Sequence, residues 1–206
     1  MIAVINYGAG NLRSVSNAFN AIGQSCEITD NPNVLKKASA IVLPGVGAFG
    51  DGMAELQRMH LIEQLHEEVM VKKKLFLGIC LGMQFLAAES HELGLHPGFK
   101  WIHGSVRLIK PNDKRCRVPH IGWNNTRIHK RGPLFEGMKE EPIFYFVHSF
   151  QFEPAVKESS VIAATCWHGQ TVTVAIQKEN IFGVQFHPEK SQEDGLKLLR
   201  NFVKII

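Results

Sequence analysis

Three short stretches of the chain hold residues whose types and spacing could do chemistry together. The first is Gly78-Ile79-Cys80-Leu81-Gly82. An apolar run enters a helical pattern with a cysteine at the junction and a glycine two positions to either side, the layout of a nucleophile elbow. The sharp turn crowds its flanks, so small residues are needed there, and the central side chain projects from the sheet edge. The helix start just beyond offers oriented N–H groups and partial positive charge, which favour a thiolate. Alone, these residues also fit a buried, inert cysteine between packing glycines. The second stretch is His187-Pro188-Glu189. Residues two apart on an extended segment point the same way, so an imidazole and a carboxylate can face one pocket. They close an apolar run at residues 181–186, at the C-terminal strand end where open α/β sheets keep their sites. Pro188 restricts φ and offers no donor, which suits a strand end. A carboxylate-oriented base paired with an elbow cysteine is the logic of an activated nucleophile. The third stretch, Leu43-Pro44-Gly45-Val46-Gly47, again follows an apolar run. Its glycines let backbone N–H groups turn toward an oxyanion, although a plain turn explains these residues on their own at least as well.

Two further glycine clusters lead elsewhere. Gly8-Ala9-Gly10 follows the first apolar run like a dinucleotide fingerprint, but Arg13 stands where the third glycine belongs. The glycines up to Gly52 include no Gly-Lys-Ser/Thr, so they form no phosphate loop.

Periodicity predicts the elements that must position these residues. Strands are expected at 2–6, 25–29, 40–43 and 75–79, with a helix at 12–22. Met53, Leu56, Ile62, Leu65 and Val69 mark one long amphipathic helix, and Met83, Phe85, Leu86 and Ala87 a helix after the elbow. This alternation implies a parallel sheet covered on both faces. From about Gly98 the pattern turns to short strands at 105–109, 143–147, 161–165, 171–176 and 181–186, then a closing helix at 192–203. The expected fold is therefore α/β, a mostly parallel central sheet flanked by helices, with a strand-rich C-terminal half. No linker, repeat or low-complexity tract interrupts it, so residues 1–206 read as a single domain.

Composition narrows the class further. Apolar residues make up 45% and charged residues 20%, globular values that argue against disorder. The net charge of +4 is too small and too scattered for a nucleic-acid surface. The densest run, Lys72-Lys73-Lys74, falls where a helix should end and suits its negative pole. The opening residues 1–7 are too short an apolar run for a signal peptide and lack a basic flank. No segment approaches the ~20 apolar residues of a membrane span. Cys26, Cys80, Cys116 and Cys166 form no C-x-x-C pair, and the ten histidines show no ligand spacing, so neither disulfides nor metal nor another cofactor is expected. A cytoplasmic setting follows.

Together the motifs resemble a known family. Gly78-Ile79-Cys80-Leu81-Gly82-Met83-Gln84 is similar to the nucleophile motif of the class I glutamine amidotransferases, which have a flavodoxin-like fold, and Gln185-Phe186-His187-Pro188-Glu189 to their second motif. The order Cys, His, Glu also fits, whereas an α/β-hydrolase places its acid before its histidine. Within the family, residues 6–12, 44–49, 119–124 and 145–149 resemble the glutaminase subunits of imidazole glycerol phosphate synthases over essentially the whole chain. The resemblance implies a heterodimer with a (βα)8-barrel cyclase, in which glutamine is hydrolysed and its ammonia used for imidazole glycerol phosphate in histidine biosynthesis.

Carried over position by position, the resemblance makes Cys80 the nucleophile, His187 its base and Glu189 the orienting acid. It assigns the N–H groups of Val46 and Leu81 to an oxyanion hole. Gly45, Gly47, Gln84, His148 and Ser149 would hold glutamine, and Asn11, Trp123, Tyr145 and Lys190 would face the partner and the ammonia exit. Residues 95–104 are longer than the family's usual turn, and Ser149 stands where threonine is also common. The motifs do not separate this branch from paralogues that feed a sugar-modifying amidotransferase of surface-polysaccharide pathways. A free-standing cysteine amidase is disfavoured by the little chain left for a substrate cap. A non-catalytic interaction subunit is disfavoured by the intact triad.

Overall fold

The computed structural model describes residues 1–206. Its first half alternates strands with helices, with two helices between β3 and β4: β1 (Ile2–Ile5), α1 (Leu12–Ala21), β2 (Cys26–Thr29), α2 (Pro32–Lys37), β3 (Ala40–Gly45), α3 (Phe49–Arg58), α4 (Leu61–His66), β4 (Leu75–Cys80) and α5 (Leu81–Gln84). The second half is mainly strands: β5 (Glu89–Ser90), β6 (His96–Pro97), β7 (Gly104–Leu108), β8 (His120–Asn125), β9 (Arg127–Ile128), β10 (Ile143–His148), β11 (Phe150–Pro154), β12 (Ile162–Trp167), β13 (Thr171–Lys178) and β14 (Ile181–Val184), closed by α6 (Gln192–Val203).

The central sheet runs β2-β1-β3-β4-β14-β13-β12-β9. From β2 to β14 every pairing is parallel; β13, β12 and β9 continue it antiparallel. Within the parallel part β1, β3, β4 and β14 are buried on both faces, which is why they read as continuous apolar runs, whereas the edge strand β2 buries only Thr29. Along β3, Ala40 and Val42 join the core that packs Phe19 of α1 and Phe202 of α6. Ile41 and Leu43 join the opposite core, with Leu56 of α3 and Leu65 of α4. β14 enters between β4 and β13, so the end of the last parallel strand lies beside the end of β4. That insertion brings residues a hundred positions apart to one edge.

The single long helix expected through Val69 is instead broken. His60 adopts a left-handed φ of 55°, α4 restarts at Leu61, and a π-helical turn covers Glu67–Val71. The reason is phase. At roughly 100° per residue, Leu56 and Leu61 would lie about 140° apart on one continuous helix, yet both are fully buried. The break resets the rotation so that Leu61, Leu65 and Val69 all face the core.

The helix after the elbow is one turn long rather than reaching Ala87. The carbonyls of Phe85, Leu86 and Ala87 are taken by the N–H groups of Phe99 (2.7 Å), Ile102 (3.0 Å) and Lys100 (3.0 Å). The long stretch at 95–104 thus ends the helix and buries Phe99, Trp101 and Ile102 against it. The lysine run does close a helical segment. Lys72 and Lys74 each reach the buried Glu68 carboxylate at 2.8 Å, and Lys74 also caps the Leu35 and Lys36 carbonyls at the end of α2.

Five strands, β5, β6, β8, β9 and β11, and the short α2 lie outside the sequence expectations. β8 pairs only with β10, as an antiparallel ribbon beside the main sheet. Its alternation places His120, Phe144, Phe146 and His148 inward and leaves Ile121, Trp123, Ile143 and Val147 exposed on the outer face. No helix of the structure is long and apolar enough to cross a membrane.

Candidate active site

Cys80 ends β4 with φ 56° and ψ −109°, a conformation that L-residues rarely adopt and that turns its side chain out of the sheet. The flanking glycines are obligatory. A Cβ on Gly82 would lie 1.8 Å from the Leu43 carbonyl oxygen, and one on Gly78 2.5 Å from the Gly82 oxygen. α5 spans only four residues, so the elbow has helix-start N–H groups but little macrodipole behind them.

His187 lies past the end of β14, fixed by its backbone. Its N–H donates to the Tyr145 carbonyl at 2.9 Å, and its own carbonyl accepts the Ser191 hydroxyl at 2.6 Å. Pro188–Lys190 form a 3-10 turn rather than continuing the strand, and this turn brings the Glu189 Oε1 to 2.8 Å from His187 Nδ1. Both side chains are buried. With Nδ1 engaged by the carboxylate, Nε2 is left without a hydrogen-bond partner. Burial by itself disfavours a charged ring, but the Cys80 sulfur and the Glu189 carboxylate outweigh it and raise the His187 pKa above its ordinary value.

Gln185, fully buried, was missed as a site residue in the sequence. Its Nε2–H donates to Cys80 Sγ at 3.6 Å, and its Oε1 accepts from Gln84 Nε2 at 3.0 Å. Gln84 Nε2 also donates to the Phe150 carbonyl at 3.0 Å. Both amide hydrogens of Gln84 are thereby spent, and its remaining carbonyl can only accept. Tyr7 is buried with its hydroxyl unpartnered, and burial, then the charge at Cys80, raises its pKa.

In front of the sulfur opens a cleft of about 400 Å³, lined by Val46, Gly47, Cys80, Leu81, Gln84, Glu92, Pro119, Val147, His148, Ser149 and Phe150. Seven of the residues singled out in the sequence thus meet in one hollow. Gly45 does not line it. A Cβ there would be 2.3 Å from the Tyr7 oxygen and 2.9 Å from the Leu81 Cβ, so its small size serves packing beneath the loop. Glu92 is the second residue that sequence reading missed. Its carboxylate accepts the Phe49 N–H at 2.8 Å and brings negative charge to the cleft. Trp123 and Tyr145 meet edge to face at 5.0 Å, and Lys190 Nζ lies 5.7 Å from the Tyr145 ring centre. Trp123 is 59% exposed, which excludes core packing as its role. Asn11, at the start of α1, belongs to the same end, since α1 packs on the Pro188–Lys190 turn.

Residues 3–206 match the family described as glutamine amidotransferase class-I. The chain belongs to the class-I glutamine amidotransferases. Its full length is 49% identical to an imidazole glycerol phosphate synthase subunit HisH of Methanothermobacter thermautotrophicus, covering 99% of that protein. It is 44% identical to a HisH 1 subunit of Campylobacter jejuni and 42% identical to a HisH 2 subunit of Pseudomonas aeruginosa, each covered completely. Among solved structures, a glutamine amidotransferase at 15% identity superposes with a TM-score of 0.76, covering 100% of this chain and 98% of the other. Another, from Thermotoga maritima, does so at 19% identity with a TM-score of 0.68, covering 99% and 96%. For a class-I amidotransferase, the α/β architecture and strand-rich second half expected from the sequence are therefore the family's own.

Proposed function

We propose that this chain is the glutaminase subunit of an imidazole glycerol phosphate synthase, hydrolysing glutamine with Cys80, His187 and Glu189 and passing the ammonia to a cyclase subunit. One observation carries the chemistry: Cys80 opens into a cleft whose walls offer both donors and acceptors, and the His187–Glu189 pair, 2.8 Å apart, is buried beside its sulfur. The full-length similarity to HisH subunits at 42–49% identity supports the pathway.

The steps follow from the groups present. A proton held on His187 leaves the sulfur as the nucleophile, and Sγ attacks the side-chain carbonyl carbon of glutamine. The oxygen becomes an oxyanion that the N–H groups of Val46 and Leu81 receive. His187 Nε2 gives its proton to the departing nitrogen, releasing ammonia and leaving a thioester on Cys80. The now neutral ring takes a proton from water, whose oxygen attacks the thioester; glutamate leaves and the thiolate–imidazolium pair returns. Glu189 keeps Nδ1–H pointed away and stabilises the cation. Gly47, Gln84, His148 and Ser149 hold the amino acid, with Glu92 complementing its ammonium group. Trp123, Tyr145, Lys190 and Asn11 meet the partner, a (βα)8-barrel cyclase, and border the ammonia exit.

The test is glutamate release by the chain with its cyclase. Cys80→Ser should abolish turnover while leaving the far-UV spectrum unchanged, and a diazo-ketone analogue of glutamine should label Cys80 and no other cysteine. Residual activity within tenfold of the parent, or label on Cys26, Cys116 or Cys166, overturns the assignment. Cys26 and Cys116, half-buried, are the demanding controls, whereas burial pushes the Cys166 pKa up to about 12 and leaves it unreactive in any case. Reconstitution with a sugar-modifying amidotransferase in place of the cyclase separates the paralogous acceptor: stimulation by that partner alone would move the chain to the other pathway.

A further inference from the structure

The densest cluster of titratable side chains that the mechanism leaves without a chemical step is His120, His148 and His168. The inner end of the cluster is the Phe150 carbonyl, which accepts His148 Nδ1–H at 2.8 Å as well as the Gln84 amide. His148 Nε2 lies 3.0 Å from His120 Nδ1, and His120 Nε2 lies 3.2 Å from Asn124 Nδ2. The same Asn124 amide donates to the Trp167 carbonyl at 2.9 Å. His120 is stacked between Phe146 and His168, with ring centres 4.6 and 4.1 Å away.

Only one placement of protons satisfies this chain. Both of its ends are backbone carbonyls, which can only accept. His148 must therefore carry its proton on Nδ1, His120 on Nδ1, and Asn124 must turn its amide nitrogen toward His120 Nε2. A second proton on either ring would set N–H against N–H. Burial, followed for His120 by the charges of its histidine neighbours, keeps both rings neutral, with pKa values lowered to about 3 for His120 and about 4 for His148.

We infer that His120 and His148 are a positioning pair for glutamine, a strut of fixed polarity running from Asn124 and Trp167 at the surface to the Phe150 carbonyl that holds Gln84. The inference rests on the cleft being the glutamine site. β10 and β11 are joined by Ser149 alone, so the orientation of the Phe150 peptide sets that wall of the cleft. With the strut in place, Gln84 spends its hydrogens on Phe150 and Gln185 and presents only an acceptor to a donor group of the substrate. Without it, the Phe150 carbonyl loses one of its two donors and its peptide can turn, so the Gln84 amide is held by Gln185 alone and its acceptor is no longer aimed at the substrate. The sulfur depends on Gln185 and His187 and keeps its own reactivity.

Two reagents separate positioning from general damage, used on the complex of this chain with its cyclase. The diazo-ketone analogue 6-diazo-5-oxonorleucine carries the amino-acid end of glutamine; iodoacetamide does not. His120→Phe preserves the ring stack and deletes both ring nitrogens, while His120→Asn returns a donor near the place of Nδ1. Rates of labelling at Cys80 are followed by mass spectrometry. His120→Phe should slow the diazo ketone ~10-fold or more, the scale of one buried hydrogen bond left unmade. The iodoacetamide rate should stay within about twofold, and KM for glutamine should rise by more than kcat falls. His120→Asn should recover most of the loss. If His120→Phe does not fold, Asn124→Ala at the outer end carries the same test, with a several-fold selective loss expected. An equal fall with both reagents, or none with either, overturns the inference. Failure of the diazo ketone to label Cys80 in the unaltered chain overturns the reading of the cleft, and the inference with it.

Discussion

The sulfur of Cys80 stands between two groups of different kind. Gln185 gives it a neutral hydrogen bond, and His187 holds a proton that Glu189 keeps in place. In the proposed mechanism the imidazole does the proton transfer, whereas the carboxylate only orients and stabilises it. Glu189→Gln retains an acceptor for Nδ1–H and loses the charge; His187→Ala loses the transfer itself. The expected order in steady-state kcat is therefore a larger loss for His187→Ala than for Glu189→Gln, and the reverse order would mean that the two roles are misassigned. The elbow at Cys80 and the His187–Glu189 pair were legible because each is local: an elbow needs glycines two positions away, and His and Glu lie two apart. Gln185 and Glu92 were not legible. Their roles depend on meeting Cys80 and Phe49 across 105 and 43 positions of chain, and a buried glutamine or half-buried glutamate leaves no periodic trace.

Among the elements, turns are where local rules and tertiary demands diverge. The inner strands β1, β3, β4 and β14 were legible as apolar runs because both of their faces are buried. The α3–α4 break was not, because hydrophobic spacing was matched to one helix without asking whether Leu56 and Leu61 could share a face. The short α5 escaped because its ending is imposed by residues 98–102, not by its own sequence. His60 absorbs the cost of the first break in a left-handed conformation while exposed to solvent. Glycine takes that conformation without the ~1–2 kcal/mol that a side chain adds. His60→Gly should accordingly raise the melting temperature by a few degrees and leave glutaminase activity unchanged; a fall in Tm would show that the His60 side chain contributes more than its strain costs. The opposite holds at the elbow. Gly82→Ala forces a methyl into the Leu43 carbonyl and should lower stability by ~1–3 kcal/mol in denaturant titration, with loss of diazo-ketone labelling as Cys80 is displaced.

For the whole molecule, the buried histidines set a pH window. His120 and His148 titrate in the folded protein at about 3 and about 4, and in the unfolded chain near ~6.5. The unfolded state therefore binds their protons first, so their contribution is complete above ~pH 6.5 and is lost as pH falls through the folded values. Each ring contributes a slope of up to ~1.4 kcal/mol per pH unit in that interval. His187 works in the other sense: its pKa is raised, so its contribution is complete below ~6.5 and is lost as pH rises through the folded value. Between pH 7 and 5 the Tm of the unaltered chain should fall faster than that of His120→Asn, measured by calorimetry in matched buffers. Parallel curves would mean that the pair is not held neutral by the fold.

The β8–β10 ribbon carries a further consequence, for how the protein must be made. Its inner side is filled by Phe144, Phe146 and two histidines, but its outer side leaves Ile121 61% and Trp123 59% exposed, with Ile143 and Val147 alongside. An uninterrupted greasy stripe of this kind is a burden to a chain that circulates alone. Copies made in excess of whatever covers the ribbon would find one another instead. Under the proposed pairing with a cyclase, matched output of the two chains then becomes a condition of solubility as well as of nitrogen economy, and a bacterium expressing this chain alone should leave much of it in the pellet.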